Sequence, residues 1–233
     1  MAERPVFVPR TDGRRLVEEI SIAFTWHKGM APSQKRKNVI ELHEAAAKRG
    51  LAPLLEVSTK SEGRLGQRLS AFNLKVQLDE VGFIPLESAY QGSKVFERGG
   101  PFRDIYRAES RDAKRDPRLR ESGDLIGFRF EGADFPILPK TAFYDWLYVR
   151  ALYPHREFLV RLCDYAGFTD IEFNPEKSLN CQARSCATFV SLHKKDLLAA
   201  ALESPDAFMN FLLPDSVFQP HSYAERQHGL FGR

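Results

Sequence analysis

Four polar side chains within residues 85–97, P-L-E-S-A-Y-Q-G-S-K-V-F-E, supply a set of functional groups suited to chemistry on a sugar. Glu87 carries a carboxylate, Tyr90 a phenol, Gln91 an amide and Lys94 an amine. Their spacing of three, four and seven residues from Glu87 places them on one face of a helix with about 3.6 residues per turn. Pro85 suits the start of a helix, so the sequence predicts a helix with Glu87 in its first turn and Lys94 near its carboxyl end. Because many surface helices are polar on one face, the pattern alone is also compatible with a solvated surface.

The elements around this stretch follow from the spacing of apolar residues. Alternating apolar side chains predict strands at residues 19–26, 54–57 and 72–78 and a short one at 168–173. Helices are predicted at 33–49, 112–120, 141–152, 155–166 and 181–202. Residues 58–70 read as a polar loop. Because helices outnumber strands, the predicted fold class is α+β, a single mainly helical domain around a small β-sheet.

Composition narrows the class of protein. With 233 residues, 43% hydrophobic and 28% charged, the chain is typical of a soluble globular protein, and no apolar run is long enough to cross a bilayer. The first residues lack the apolar core of a signal peptide, so we predict a cytoplasmic protein that does not bind membranes. Three cysteines without a C-x-x-C pair indicate reduced thiols, and the six histidines show no metal-binding spacing. We therefore predict no metal and no other cofactor.

Positive charge is concentrated in two segments. Residues 97–120 carry eight basic and five acidic side chains, and residues 28–49 carry six basic and two acidic ones. Two interpretations stay open for these segments. They are solvated, salt-bridged surfaces, or they flank a site for a phosphorylated or nucleic-acid substrate.

The octet E-x-x-Y-Q-x-x-K, formed here by Glu87, Tyr90, Gln91 and Lys94, resembles the signature of the NADAR family of N-glycosidic bond hydrolases. Further matches are the stretch S-A-F-N at 70–73, D-W-L-Y-V-R at 145–150, and Asp170 followed by F-N at 173–174 and by Asn180. Departures from the family pattern occur at Ala71, Phe173-Asn174 and Ala183. Longer strings, such as E-S-A-Y-Q-G-S-K-V-F-E and K-T-A-F-Y-D-W-L-Y, resemble the NADAR antitoxins encoded beside DarT-type DNA ADP-ribosyltransferase toxins.

This resemblance implies the domain limits and the substrate. It implies an N-terminal extension at 1–53 packed on the core and a NADAR-like catalytic domain at 54–213. Because the chain beyond Pro214 is polar with scattered aromatic residues, we also predict a loosely ordered tail at 214–233. The implied substrate is DNA carrying ADP-ribose on guanine, and the implied reaction is hydrolysis of the bond between ribose and guanine. The cognate DarT-type toxin is a second implied partner.

The residue types suggest how such a bond would be broken. Cleavage builds positive charge on the anomeric carbon, which an ionised Glu87 would stabilise while orienting or deprotonating water. Lys94 would either attack the opened ribose to form a Schiff base or contact a phosphate. Tyr90 and Gln91 suit ribose hydroxyls, or they belong to helix packing and surface hydrogen bonds.

The candidate substrate-binding set extends beyond the octet, through the resemblance for most positions and, for Arg115, through a phosphate contact that it would make together with Lys114. The additional candidates are Ser70, Asn73, Arg115, Trp146, Asp170, Phe173, Asn180 and Arg184. Several have an equally simple structural role. Asn73 would close a turn, Trp146 would fill the core and Asp170 would cap a loop. Asn180 would cap a helix, or with Arg184 bind phosphate at a helix N-terminus, and Arg115 would lie with Lys114 on an exposed basic turn.

Three functions remain open at this point. The leading hypothesis is a hydrolase that removes ADP-ribose from guanine in DNA and acts as an antitoxin. The second is an N-glycosidase for a small phosphorylated metabolite of the riboflavin pathway. The third is a non-enzymatic antitoxin that binds its toxin.

Overall fold

A computed structural model of the chain describes residues 1–29, 31–78, 81–176 and 178–216. Of the predicted tail at 214–233, the first three residues end the last helix, and the remainder lies outside the described residues.

The strands form three small sheets. The first has the order β2-β1-β9-β3, in which β3 runs parallel to β9 and the other neighbours are antiparallel. The second joins β4 to β5, and the third has the order β6-β7-β8, both antiparallel. The strands are β1 (Ala2–Pro9), β2 (Val17–Phe24), β3 (Leu54–Glu56), β4 (Lys75–Leu78), β5 (Gly82–Pro85), β6 (Lys94–Phe96), β7 (Leu125–Phe130), β8 (Ala133–Pro136) and β9 (Gly167–Thr169).

Helices surround and connect these sheets. They are α1 (Pro32–Ala47), α2 (Arg64–Arg68), α3 (Leu86–Gly92), α4 (Ser110–Arg115), α5 (Arg118–Glu121), α6 (Ala142–Leu152), α7 (Arg156–Leu159), α8 (Gln182–Lys194), α9 (Leu198–Leu202) and α10 (Pro205–Ser216). Short 3₁₀ helices span Arg103–Arg107, Tyr153–His155 and Val160–Asp164. The predicted α+β class is confirmed.

The core is built around α6 and α8, which pack against each other. All eleven residues of α6 except Arg150 are buried, including Asp145, so this helix is covered on nearly all sides, as a central helix must be. A second cluster, with Val6, Ile22 and Phe24 from the first sheet, receives Val39, Leu42 and Ala46 of α1. The first 53 residues thus supply two strands of the largest sheet and the helix that covers it.

Several predicted elements differ from the structure for local reasons. The predicted helix at 112–120 is two short helices, α4 and α5. Pro117 disfavours the helical backbone conformation at Asp116, which therefore ends α4. The predicted helix at 181–202 breaks near Asp196, whose φ of 57° is left-handed. The predicted loop at 58–70 contains α2, and the predicted strand at 72–78 begins only at Lys75. Strands β1, β5, β6, β7 and β8 and helix α10 were not anticipated.

Candidate active site

Helix α3 presents the predicted carboxylate in its first turn but ends before the predicted lysine. Glu87 lies in the first turn as expected, whereas the helix stops at Gly92 and Lys94 opens strand β6. The prediction that all four groups share one helical face is therefore wrong for Lys94. At the end of the helix Ser93 Oγ donates to the Ala89 carbonyl at 2.7 Å, and the chain then pairs with the distant strand β7, where Lys94 faces Phe128.

Glu87 is buried and held in a fixed orientation. Only 6% of Glu87 is exposed, and Gln91 Nε2 donates a hydrogen bond of 2.8 Å to Glu87 Oε1. This bond fixes the orientation of the Gln91 amide, whose Oε1 is buried and has no hydrogen-bond partner within the described residues. Since buried polar atoms are nearly always paired, this oxygen is an acceptor available to a ligand.

Lys94 reaches the same site from strand β6. Its Nζ lies 4.9 Å from the centroid of the Tyr90 ring, a cation–π distance. Burial lowers the pKa of Lys94 to about 8; the nearby carboxylate of Glu87 opposes this shift, and the positive charge of Lys114 adds to it. About a tenth of Lys94 is therefore a neutral, nucleophilic amine at pH 7, and the neutral fraction reaches about half at pH 8.

Tyr90 forms a wall of the site and links it to the segment before α8. Asn180 Nδ2 donates a 2.7 Å hydrogen bond to Tyr90 Oη. The Tyr90 ring packs against Phe128 and Phe143, and burial raises the pKa of its hydroxyl. Asn180 Oδ1, like the Gln91 oxygen, is buried and without a partner among the residues that are described. Two of the predicted site residues, 90 apart in sequence, are thus brought into direct contact.

Tyr144 is a site residue that sequence reasoning missed. Its ring meets Tyr90 edge to face with the centroids 5.2 Å apart. Burial, followed by the nearby Glu87, raises its pKa well above the usual value, so the hydroxyl stays protonated and can donate a hydrogen bond. Tyr144 lies in the string K-T-A-F-Y-D-W-L-Y, which resembles the NADAR antitoxins. Because apolar residues flank it, its sequence position is also typical of a core residue.

Asp170 is buried and bonded within its own loop. Its carboxylate accepts hydrogen bonds from Glu172 N at 3.0 Å and Gln182 Nε2 at 2.9 Å. Burial raises the pKa of Asp170, and also that of Glu56, which lies close enough for the two carboxylates to repel each other. Gln182 extends the connection, because its Oε1 accepts the Ala71 amide at 2.8 Å. Asp170 therefore anchors the turn at 70–73 to the start of α8.

Other predicted site residues lie in the core or make structural contacts. Trp146 packs against Phe135 and Phe143, and Phe173 packs edge-on against Phe7. Trp146 Nε1 is buried with no partner in the described part of the chain. Among the described residues, neither the Trp146 ring nor the Phe173 ring forms a ring pair with Tyr90.

The remaining candidates divide between turns, an ion pair and an exposed helix. Ser70 closes the turn through its carbonyl, which accepts from Asn73 N at 2.8 Å, and Asn73 Nδ2 donates to the Gln67 carbonyl at 2.7 Å. Arg184 is paired with the buried Asp145 at 2.7 Å. Arg115 is exposed on α4, which packs against α3.

Two side chains lie at the exposed edge of this site. Phe72, which is 38% exposed, follows the anchored Ala71, and Lys114 Nζ lies 5.9 Å from the centroid of the Phe72 ring.

Within the described ranges, no three His, Cys, Asp or Glu side chains are grouped so that they could hold a metal ion. Nor is any described helix both long and apolar enough to span a membrane.

Comparison with known protein families agrees with the sequence signature. A family model for the DarT1-associated NADAR antitoxins matches residues 2–222, while no curated protein matches the chain significantly. The match includes β1, β2 and α1 as well as the site, so it covers nearly the whole chain rather than the signature alone. The chain therefore belongs to the family of DarT1-associated NADAR antitoxins.

Proposed function

We propose that this protein is an N-glycosyl hydrolase that removes ADP-ribose from guanine bases in DNA and so acts as the antitoxin of a DarT-type toxin. The observation that carries the proposal is the pairing of a buried carboxylate with a lysine of lowered pKa. Glu87 is oriented by Gln91, and Lys94 lies over the Tyr90 ring beside it. Family membership supports the toxin as the biological partner.

Lys94 is proposed as the nucleophile. When the ribose ring opens, the bond between its anomeric carbon and ring oxygen breaks, the proton of the glycosidic nitrogen passes to that oxygen, and the anomeric carbon becomes an imine carbon that a neutral Lys94 amine attacks. The new Lys94 N–C bond forms, both amine protons pass to the guanine nitrogen, the bond from that nitrogen to the anomeric carbon breaks, and a Schiff base remains on Lys94. Water then adds to this Schiff base and releases ADP-ribose as the aldehyde, so the free amine is regenerated. A phosphate-binding lysine would instead be favoured by a full positive charge, which burial and Lys114 oppose.

Glu87 is proposed to move protons between these steps. Its carboxylate accepts a proton from the attacking amine or from water and returns one to the departing guanine nitrogen. Ionised, it also stabilises positive charge on the anomeric carbon. Gln91 Nε2 keeps the carboxylate oriented, and the unpaired oxygens of Gln91 and Asn180 are acceptors suited to ribose hydroxyls. Tyr144 supplies a phenol donor at the same site.

The decisive experiment measures release of free ADP-ribose from an oligonucleotide ADP-ribosylated on guanine. The purified protein should release ADP-ribose and restore guanine in the presence of EDTA, since the proposed chemistry uses side chains alone. Glu87→Gln is the matched control. If wild type leaves the oligonucleotide intact but still protects cells from the toxin, the proposed hydrolase is wrong and a toxin-binding antitoxin is favoured. Loss of activity in EDTA that one divalent ion restores would contradict the metal-free mechanism.

A further inference from the structure

Phe72 is an exposed aromatic side chain on a rigid turn. Ala71 N donates to Gln182 Oε1, and Asn73 N and Leu74 N both donate to the Ser70 carbonyl at 2.8 Å. These bonds hold the turn on both sides of Phe72, yet 38% of Phe72 remains exposed. A large apolar ring displayed by a fixed backbone is suited to stacking, because its position requires no ordering when a ligand binds.

Lys114 connects this ring to the catalytic amine. It lies on α4, which packs against α3, and its Nζ is 5.9 Å from the Phe72 ring centroid. Its charge contributes to the lowered pKa of Lys94, so the two amines are close. Lys114 is exposed and has no ion-pair partner in the described part of the chain, and its charge remains available to an anion.

The substrate has two parts, the ADP-ribose and the DNA, and its chemistry determines which of them can reach the edge formed by Phe72 and Lys114. Under the proposed function, the anomeric carbon must lie at Lys94, which is partly buried between Tyr90 and Glu87. The leaving guanine belongs to a long polymer, which must extend from the site into solvent. The edge formed by Phe72 and Lys114 is exposed to solvent and close to Lys94, so it offers such a polymer a surface outside the buried part of the site.

We propose that Phe72 and Lys114 form the DNA-side subsite: Phe72 stacks on the base that leaves, and Lys114 binds a neighbouring phosphate. This inference rests on the proposed function and adds a requirement to it. An aromatic ring stacks on a base only when that base is out of the duplex stack, so the protein binds single-stranded or extruded guanine.

The test compares binding of the DNA with binding of free ADP-ribose. Binding of a fluorescein-labelled, unmodified single-stranded oligonucleotide containing guanine is measured by anisotropy, and binding of free ADP-ribose by calorimetry. Phe72→Ala should raise Kd for the oligonucleotide about 5- to 100-fold, and Phe72→Trp should stay within about threefold of wild type. Lys114→Gln should weaken binding and reduce the salt slope by about 0.7. Kd for ADP-ribose should be unchanged in all three variants.

Phe83→Ala is the matched control, since Phe83 on β5 is 65% exposed and lines a cavity with Phe158 and Leu159 to which neither Phe72 nor Lys114 contributes. It should bind the oligonucleotide like wild type. The inference is overturned if Phe72→Ala binds DNA normally, if Kd for ADP-ribose rises as much as Kd for DNA, or if wild type binds no oligonucleotide at low salt. DNA binding that depends on Phe72, without cleavage of the modified oligonucleotide, would keep the subsite and reject the proposed reaction.

Discussion

At the scale of single residues, Glu87 combines two features that a helix-stabilising carboxylate does not need. It is in the first turn of α3, where an exposed acid would interact favourably with the helix dipole, but it is buried and bonded to Gln91. Burying a carboxylate is costly unless its partners compensate. A position of this kind points to a reaction or a ligand rather than to helix stability.

The first prediction separates these roles. Glu87→Gln keeps the size and hydrogen-bonding capacity of the side chain but removes its charge and its ability to accept a proton. Turnover of ADP-ribosylated DNA should fall about 10²- to 10⁴-fold, while Kd for the substrate changes little. A purely helix-stabilising charge would cost only about 0.3–1 kcal/mol of unfolding free energy. Steady-state kinetics together with urea unfolding measures both, and wild-type turnover in the variant would reject the catalytic assignment.

The second prediction concerns the protonation of Lys94. Because the nucleophile is the neutral amine, kcat/KM should rise with pH through about 8 and then level off. Borohydride added during turnover should trap a covalent adduct in wild type and none in Lys94→Ala. Activity that falls as pH rises through 8, without an adduct, would indicate a cationic phosphate contact. An adduct that persists in Lys94→Ala would place the nucleophile elsewhere.

The pKa of Lys94 also predicts how stability depends on pH. The folded-state pKa of about 8 is below the ordinary value of 10.5, so between these pH values the unfolded chain binds more protons. Relative to Lys94→Met, the wild-type protein should therefore gain unfolding free energy as pH rises from 8 to 10.5. Urea unfolding at both pH values measures the difference, and a flat or falling difference would contradict the lowered pKa.

At the scale of elements, the junction between α3 and β6 sets the distance between Glu87 and Lys94. Gly92 ends α3 against the 3₁₀ helix that contains Tyr106. An added Cβ at Gly92 would lie 2.6 Å from a Tyr106 ring carbon and 3.0 Å from the Phe102 carbonyl oxygen. The close approach of these two elements therefore requires glycine.

Gly92→Ala should consequently destabilise the fold and displace Lys94. Overpacking of this kind typically costs about 1–3 kcal/mol, and the shift at the junction should lower kcat as well. Gly63→Ala is the matched control, because a Cβ there meets no atom within 4 Å. Urea unfolding and turnover measure the two effects. Wild-type stability for Gly92→Ala would show that the junction adjusts without cost.

The ion pair between α6 and α8 gives Arg184 a structural contact that sequence reasoning did not assign. Arg184 meets Asp145, whose side chain is 1% exposed and also accepts a hydrogen bond from Ser185 Oγ. A phosphate-binding arginine could be removed without loss of stability. An arginine that neutralises a buried carboxylate could not.

Arg184→Met should therefore lower the unfolding free energy by about 3 kcal/mol, because it leaves Asp145 buried without its cation. Arg115→Met, at an exposed position of α4, should change stability by less than about 0.5 kcal/mol. Unfolding in urea compares the two variants. Equal stability of both would support a role for Arg184 in substrate binding alone.

At the scale of the whole molecule, the basic segment 97–120 is less uniform than its composition suggests. Arg118 is bonded to both Asp104 and Asp116, and this pairing raises the pKa of its guanidinium. Arg111 and Arg115 are exposed on α4 next to the site. A charge that is already neutralised by two carboxylates contributes little to binding of a polyanion.

Arg111→Gln and Arg115→Gln should each weaken binding of single-stranded DNA and reduce its salt slope by about 0.7, whereas Arg118→Gln should leave the slope unchanged. Anisotropy titrations over a range of salt concentrations measure these slopes. Equal slopes for all three variants and wild type would assign the whole segment to solvated surface.

Local sequence patterns were sufficient to assign the family, the α+β class and the chemical groups at the centre of the site. Glu87 in a first helical turn, the buried face of α1 and the central helix α6 follow from local signals such as Pro85 and the 3.6-residue period, which act within one or two turns. The basic character of residues 97–120 is likewise a property of composition.

Which of these groups meet depends on the tertiary structure. Lys94 leaves the helix because β6 pairs with β7, and that pairing depends on residues about 30 positions away. Three other contacts also join distant segments. They are the hydrogen bond between Tyr90 and Asn180, the edge-to-face ring pair of Tyr144 and Tyr90, and the ion pair of Arg184 and Asp145. Local periodicity contains no information on such contacts, because they arise when α3, α6 and α8 bury their apolar surfaces together.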